Sequence, residues 1–200
     1  TVLTYLKSIN KEHDFKYVSM QIEKTKLKDC VLLTPKSHND ARGYFMETYR
    51  ESWMQDLGSY NGAFVQDNQS FSHYGTIRGL HLQTGKYAQS KLVQVAHGRI
   101  LDVVVDLRPN SPTYGQYLAV ELSSENYFQL WIPKGLAHGF SVLSESATVC
   151  YKCDAYYNNE AEKGIYPFDQ TLKIDWRITN DKQRISLKDL ELPSFNDFKE

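Results

Sequence analysis

The stretch GTIRGLHLQTGKYAQSK, residues 75–91, combines strand-forming residues with ionisable side chains. The pattern predicts a strand that carries Arg78 and His81, a glycine-containing turn at 84–86, and a second strand that begins at Lys91. A lone histidine in such a strand is usually a core or surface residue. However, arginine and lysine are rarely buried without a partner, so two cations beside a histidine indicate a polar cavity that binds an anion.

Around this stretch, the hydrophobic residues recur mainly with a period of two. The strand-like runs are 30–33, 43–47, 64–71, 76–83, 91–95, 100–107, 116–122, 128–132, 140–143 and 148–151. Turn-forming sequences separate them, of which RPNSP at 108–112 is one. Short strands at this spacing are typical of an all-β sandwich or barrel. Helix is scarce, and the best candidate is 49–56, which Gly58 ends.

Residue alternation predicts which side chains face inward. In the run 100–107, Leu101 and its alternate neighbours form an apolar face, whereas Asp102 lies on a mixed face that we expect to be partly wet. Lys91 shares a face with the apolar residues of its own run. We therefore expect its ammonium group to point into the mouth of the barrel.

The length and charge of the chain limit the classes of function. Its 200 residues suit one domain, which we place at 20–200 after an N-terminal extension of unknown role at 1–19. Lys and Arg number 23 and Asp and Glu 24, a net charge of −1, which argues against a nucleic-acid partner or an anionic membrane surface. The sequence contains no apolar run of about eighteen residues, the length that would predict a membrane span. It also shows no secretory signal pattern, so we expect a cytoplasmic protein.

Three cysteines, Cys30, Cys150 and Cys153, are an odd and sparse set for a disulfide-stapled secreted domain. We therefore expect reduced thiols. Cys150 and Cys153 form a C-x-x-C pattern, but they lie in strand-like sequence, where residues three apart point to opposite faces. No second pair is available to complete a zinc or redox site.

A metal-dependent barrel is an alternative that the histidines raise. Such barrels often bind a metal through a His-x-His pair, a nearby Glu and a third His on a later strand. Here Gln83 takes the second position of the pair, only His81 and His138 are suitably placed, and no Glu lies just after Gln83. The sequence therefore predicts no bound metal.

Without a metal, the same residues suit the removal of a proton from carbon beside a carbonyl group. His81 is then the base, and the enolate that forms needs cations such as Arg78 and Lys91. The base also needs a carboxylate to hold its tautomer, for which Asp189 is one of several candidates. Return of the proton on the opposite face needs an acid. Tyr151 is a candidate because alternation aims it inward, although the spacing fits a core tyrosine equally well.

At these residues the sequence resembles the dTDP-4-dehydrorhamnose 3,5-epimerase family, a group of cupin barrels. The matching motifs are DARGYFMETY (40–49), FVQDNQSFS (64–72), GTIRGLHLQ (75–83), QSKLVQVAHGRILDVVVDLRPNSPTYGQY (89–117), LWIPKGLAHGF (130–140) and YKCDAYYNNEAEKGI (151–165). They recur in order, and the match covers about 20–189, so it is far more specific than any single short pattern. The resemblance implies an all-β, cupin-type β-barrel with a jelly-roll-like double sheet and a few short helices.

The resemblance also implies an activity, a substrate and a set of site residues. The reaction inverts C5 and C3 of a dTDP-linked 4-keto-6-deoxyglucose to give dTDP-4-dehydro-L-rhamnose, with no cofactor, in a homodimer. By position in the motifs, His81 resembles the base, Asp189 its carboxylate partner, Tyr151 the acid, and Lys91 the group that stabilises the enolate oxygen. The residues that carry over to substrate binding are Arg42, Glu47, Gln66, Asn68, Arg78, His138, Tyr157, Glu162 and Lys188. Among these, Tyr157 resembles the residue that stacks on the substrate, and arginine suits the diphosphate because its planar fork donates two hydrogen bonds.

The segment 175–189, which ends at Asp189, departs from the family pattern. It is one residue longer than the usual family run and has Arg177 where a proline is common.

Two alternatives to this activity remain open. An enzyme that inverts a single carbon differs only in the placement of the acid, which sequence spacing does not determine. A sugar-nucleotide-binding module without chemistry would retain Arg42, Arg78 and Tyr157 but lack the base or the acid, and both are present here.

Overall fold

The computed structural model describes residues 20–55, 57, 59–60 and 62–199. The extension predicted at 1–19 lies outside the described residues. The strands are β1 Met20–Lys24, β2 Val31–Pro35, β3 Ser37–Asp40, β4 Gly43–Met46, β5 Gln66–His73, β6 Ile77–Gln83, β7 Lys91–His97, β8 Arg99–Asp106, β9 Tyr117–Ser123, β10 Gln129–Ile132, β11 Leu136–Val142, β12 Ser146–Cys153 and β13 Glu162–Gly164. The α-helices are α1 Glu51–Gln55 and α2 Leu187–Leu190. The all-β prediction is confirmed, and none of the described helices is long and apolar enough to cross a bilayer.

The strands form two antiparallel sheets and a separate hairpin. One sheet has six strands in the order β1-β2-β10-β7-β12-β5, and the other has five in the order β13-β6-β11-β8-β9. Among the described strands, β3 and β4 pair with each other and with no third strand. Because β6 and β7 lie in different sheets, the stretch 75–91 crosses from one sheet to the other, which is the double-sheet arrangement expected of a cupin-type barrel.

The main core fills the space between the two sheets. It contains Val93 and Val149 from the six-stranded sheet together with Ile100 and Val142 from the five-stranded sheet. In each strand every second side chain points into this space, which is the physical basis of the period of two in the sequence. Each large apolar side chain buried in this way contributes about 1.5–3 kcal/mol.

The expectation of a partly wet face along 100–107 is wrong. The mixed face lies in the space between the two sheets, where Ile100 and Val104 belong to the main core, while the C-terminal segment covers the apolar face. Asp102 and Asp106 on the mixed face are both 0% exposed. Each has a partner, since His138 bonds to Asp102 and Arg108 donates to Asp106. A carboxylate loses its hydration when it is buried, which costs several kcal/mol. The hydrogen bonds to these partners offset part of that cost.

Most predicted runs fall on observed strands, although the ends differ. β11 begins at Leu136 rather than at 140, because backbone pairing with β6 and β8 continues through a histidine and a glycine that interrupt the apolar alternation. β13 is not among the predicted runs. It is a strand of three residues that forms by backbone pairing alongside the last residues of β6. The predicted helix at 49–56 begins only at Glu51.

The three cysteines are free thiols. Cys153 is 1% exposed and packs inward on β12, whereas Cys150 is partly exposed on the other face of the strand. The two side chains therefore diverge, as alternation predicts.

Candidate active site

A cavity of about 520 Å³ opens between the two sheets. Strands β5, β7 and β12 of one sheet and β6 and β11 of the other line it, and the segment 184–189 closes one side. The predicted site residues that line it are Arg78, His81, Lys91, His138, Tyr151, Lys188 and Asp189. Both predicted cations of the stretch 75–91 and its histidine therefore meet in one cavity.

An irregularity in strand pairing allows Arg78 and His81 to line the same cavity. Residues three apart on a regular strand point to opposite faces. Here the pairing with β11 shifts, so that two residues between Arg78 and His81 lie opposite Gly139 alone. The backbones are so close that a Cβ on Gly79 would lie 2.5 Å from the His138 carbonyl oxygen, and one on Gly139 would lie 2.5 Å from the Arg78 carbonyl oxygen. Only glycine fits at these two positions.

His81 forms a hydrogen bond with a carboxylate from the far end of the domain. Its Nε2 lies 2.8 Å from Oδ1 of Asp189, and the Gly79 N–H donates to Oδ2 at 3.2 Å. Asp189 is held in turn by the N-terminus of α2, where its own N–H donates to the Ser186 hydroxyl. Burial raises the pKa of Asp189, but the hydrogen bond from His81 and those from the backbone outweigh it, so the pKa lies below its ordinary value. An ionised Asp189 accepts a hydrogen bond from the Nε2–H of His81, which leaves the lone pair of the ring on Nδ1.

Lys91 places an ammonium group in the same cavity. It stands opposite Cys153 in the pairing of β7 with β12 and shares an inward face with Val93. Burial lowers the pKa of Lys91, while the nearby Cys153 and Asp102 partly oppose this change. Such a desolvated cation interacts strongly with a negative charge that develops beside it.

Tyr151 completes the set of groups able to exchange a proton. The side chain is half-buried, lines the cavity and packs against the core between the sheets. Burial raises its pKa, and the nearby Cys153 adds to this effect, whereas Arg78 opposes it. The phenol therefore carries its proton at neutral pH and is available as an acid.

A second histidine–carboxylate pair lies at the wall of the cavity. Nε2 of His138 is 2.7 Å from Oδ1 of Asp102, and the Asp102 side chain is fully buried. The sequence reasoning placed Asp102 on a mixed face but did not assign it to the site. The feature of the sequence that could have indicated its role is the presence of a carboxylate in a largely apolar strand. Ser72, which accepts a hydrogen bond from Nε of Arg78 at 3.0 Å, was also missed.

Glu162 and Tyr157 do not line the cavity but are joined to its rim. The Lys188 ammonium donates to Oε2 of Glu162 at 2.5 Å, and the Tyr157 hydroxyl donates to the same oxygen at 2.8 Å. Burial raises the pKa of Glu162, but these two hydrogen bonds outweigh it and hold the pKa below its ordinary value. The three side chains therefore form one connected group around an ionised carboxylate.

Gln66 and Asn68 lie on β5, beside the cavity. The Gln66 amide donates to Asn68 Oδ1 at 3.0 Å, and its own oxygen accepts the Tyr157 N–H at 2.8 Å. Asn68 lines a second, smaller cavity of about 260 Å³, to which Tyr151 also contributes. These two residues therefore connect the predicted acid with the loop that carries Tyr157.

Arg42 and Glu47 are not brought to the cavity of their own chain. Arg42 lies at the turn of the separate β3–β4 hairpin, where its 90% exposed side chain pairs with Asp40 at 2.6 Å. Glu47, just after the hairpin, pairs with Arg50 at 2.7 Å. The hairpin belongs to neither large sheet, so the strand pairings that assemble the cavity do not position these two side chains.

Within the described residues, no group of three or more His, Cys, Asp and Glu side chains is placed to hold a metal ion. His81 and His138 each bond to a carboxylate of the chain instead.

Comparison with known proteins identifies the family. The model of the dTDP-4-dehydrorhamnose 3,5-epimerase family matches residues 24–197. The dTDP-4-dehydrorhamnose 3,5-epimerase of Escherichia coli K12 is 45% identical over 161 residues, which cover 80% of this chain and 87% of that protein.

Two solved structures share the fold. The crystal structure of the enzyme from Elizabethkingia anophelis superposes with a TM-score of 0.86 at 50% identity, covering 89% of this chain and 97% of that one. The epimerase of Legionella pneumophila, solved in complex with dTDP-4-keto-L-rhamnose, gives a TM-score of 0.86 at 42% identity, covering 90% of this chain and 95% of that one. The chain therefore belongs to the dTDP-4-dehydrorhamnose 3,5-epimerase family.

Proposed function

We propose that this protein converts dTDP-4-dehydro-6-deoxy-D-glucose to dTDP-4-dehydro-L-rhamnose by inverting C3 and C5. The observation that carries the proposal is that one cavity holds a histidine paired with a carboxylate, a desolvated ammonium group and a protonated phenol. These are the groups required to remove a proton beside a ketone, to stabilise the resulting enolate and to return a proton.

Each step of the reaction has a residue to perform it. His81 takes the proton from the carbon beside the C4 ketone, with Asp189 holding its tautomer and offsetting the positive charge that forms on the ring. The electron pair of the broken C–H bond moves onto the C4 oxygen, where Lys91 stabilises the enolate. Tyr151 then gives its proton to the opposite face of the carbon, and the ketone re-forms. The substrate loses one proton and gains one at an unchanged oxidation state, so the inversion needs no redox cofactor. His81 then releases its proton to solvent and Tyr151 takes one up, which restores both groups.

The remaining predicted residues bind the nucleotide sugar. Arg78 lies in the cavity with its Nε held by Ser72, and no other side chain of the described residues bonds to its guanidinium group, whose remaining N–H groups are available. His138 lines the cavity with a ring fixed by Asp102. Lys188, Glu162 and Tyr157 form the connected group at the rim, with Gln66 and Asn68 beside it. The exposed ring of Tyr157 is suited to stacking on the base or the sugar.

We also infer that two copies of the chain assemble into a homodimer. The family resemblance assigns Arg42 and Glu47 to substrate binding, yet both lie away from the cavity of their own chain. Strand β4, which lies between these two residues, exposes the rings of Tyr44 and Phe45. Exposed aromatic side chains of this kind are typical of a contact surface. A hairpin donated to the partner's cavity would account for both observations.

The dimer is tested by light scattering and by subunit mixing. R42A and H81A variants, each inactive alone, should regain activity when mixed, because one cavity of the mixed dimer then carries both residues. A monomer in solution, or no recovery after subunit exchange, contradicts the dimer.

A cytoplasmic location is the further part of the proposal. Cys30, Cys150 and Cys153 are free, which suits a reducing compartment. Cell fractionation with an antibody against the protein tests it, and recovery in the periplasm or medium would contradict it.

The activity is tested by proton NMR of dTDP-4-keto-6-deoxyglucose in deuterated water. Wild-type protein should cause loss of the signals at both C3 and C5, and H81N should not. Exchange at one carbon alone would identify a single-centre epimerase. Binding of dTDP without any exchange would identify a binding module.

A further inference from the structure

The charges of the cavity leave three cations without a carboxylate partner. Asp189 pairs with His81, Asp102 with His138, and Glu162 with Lys188. In the part of the chain that the structure describes, no carboxylate forms an ion pair with Arg78, Lys91 or Arg184, all of which line the cavity. Even with both histidines neutral, these three cations and Lys188 exceed the three carboxylates by one, and an anionic ligand would balance that excess.

Arg184 is the cation in this set that neither the sequence motifs nor the family resemblance assign to the site. Its backbone pairs in parallel with Thr76, through hydrogen bonds from the Arg184 N–H to the Gly75 oxygen at 2.9 Å and from the Ile77 N–H to the Arg184 oxygen at 2.8 Å. The segment before α2 is thereby fixed against the first residues of β6.

The pairing with Thr76 determines the face to which Arg184 points. Paired residues on neighbouring strands project to the same side, and alternate residues of one strand share a face. Ile77 is 1% exposed and packs in the core under the C-terminal segment. Thr76 and Arg78, on the other face from Ile77, line the cavity together with Arg184, the partner of Thr76, and Ile77 and Ile185 add apolar atoms to its wall.

The three cations also differ in depth. Lys91 is half-buried, whereas Arg78 and Arg184 are exposed at the mouth. On the proposed reaction, the sugar ring lies deep in the cavity beside His81 and Lys91. The diphosphate, attached to the sugar at C1, then extends toward the mouth. Two guanidinium groups on the same face lie where its phosphate oxygens would pass, and each can donate a pair of hydrogen bonds to them.

We propose that Arg184 is a substrate-binding residue that, together with Arg78, binds the diphosphate of the nucleotide sugar. This inference rests on the proposed function, because it takes a nucleoside diphosphate as the ligand. Arg184 does not touch the reacting carbons. It contributes affinity equally to substrate and transition state, and therefore acts on KM rather than on kcat.

The test compares R184A with K182A. Lys182 is close in sequence and exposed, pairs with Asp181 at 3.6 Å, and does not line the cavity. By titration calorimetry, R184A should weaken dTDP binding by about tenfold, the loss of one charge-assisted contact at a partly solvated site. In turnover of dTDP-4-keto-6-deoxyglucose it should raise KM by a similar factor and leave kcat nearly unchanged. K182A should match the wild type, and R184K should recover only part of the affinity because an ammonium group lacks the planar fork.

Several outcomes would overturn the inference. R184A binding dTDP as well as K182A does would remove Arg184 from the site. So would a fall in kcat together with a lower melting temperature at unchanged dTDP affinity, which indicates a structural role. If the wild-type protein binds dTDP but exchanges no proton at C3 or C5, only the proposed activity is refuted. The role of Arg184 is then still tested by comparing the dTDP affinities of R184A and K182A. A wild type that binds neither dTDP nor pyrophosphate refutes both.

Discussion

Nε2 of His81 and Oδ1 of Asp189 lie 2.8 Å apart although 108 positions separate them in the chain. The Gly79 N–H also donates to the Asp189 carboxylate, so the strand that carries the proposed base holds its partner as well. This relationship fixes both the ring orientation and the tautomer of His81.

Substitution H81N should lower kcat by about 10²–10⁴-fold, the usual contribution of a positioned base. D189N should lower it by about 10–100-fold, because the amide can still occupy the site but no longer offsets the charge on the ring. Steady-state kinetics measure both, with dTDP affinity as the control for an intact cavity. Turnover by H81N near the wild-type value would remove His81 from the mechanism.

The alkaline limb of the pH–rate profile should report Lys91. Burial lowers its pKa below the ordinary 10.5, whereas burial raises that of Tyr151 above 10.0. Burial thus brings the loss of the ammonium proton to lower pH and delays the loss of the phenol proton, so we assign the limb to Lys91, and kcat should begin to fall at a pH below 10.5.

Substitution K91R provides the check on this assignment. The guanidinium group stays protonated throughout, so the limb should move to higher pH, although the rate should fall because the fork does not reproduce a compact ammonium charge. Profiles of kcat from pH 6 to 10.5 compare the two proteins. An identical limb in K91R would assign it to another group.

Substitution G79A should destabilise the fold and abolish activity. The new Cβ would meet the His138 carbonyl oxygen at 2.5 Å, in a backbone with φ of +102°. G85A is the matched control, since Gly85 also has positive φ, +61°, but nothing within 4 Å of its Cβ position. The control should lose only about 1–2 kcal/mol, the cost of the left-handed conformation. Urea unfolding measures both, and equal losses would show that the close approach of β6 and β11 is unimportant.

Asp106 should contribute acid-sensitive stability. It is fully buried, and although burial raises its pKa, hydrogen bonds from Arg108, Ser111 and Thr113 bring the value to about 2. The shift from 3.8 corresponds to about 2 kcal/mol. Because the folded-state pKa is depressed, this contribution is present above about pH 4 and is lost as the pH falls through about 2.

The free energy of unfolding of D106N, measured at pH 7, 4 and 2.5, tests this contribution. The variant should be less stable than the wild type at pH 7, and the difference should narrow below pH 4. D181N, on the surface, is the control and should show no such trend. A constant difference across the range would mean that the charge of Asp106 is not responsible.

The sequence alone determined the all-β class and the inward direction of Lys91 and Tyr151. Both conclusions follow from alternation, which is a local property, since in any strand the residues two apart share a face. The ordered motifs likewise identified the family, because they require only the order of residues along the chain.

The tertiary structure decided which distant groups meet. From the residue types alone Asp189 was one of several carboxylates that could serve His81, and the family resemblance singled it out. The packing of the segment before α2 against β6 brings it within hydrogen-bond distance. Arg78 and His81 share a cavity because two glycines let the strands approach and shift their pairing, which alternation by itself forbids. The pairing of Asp102 with His138 depends on β8 lying beside β11. Such contacts depend on strand order and register, which are properties of the whole sheet that no single stretch of sequence specifies.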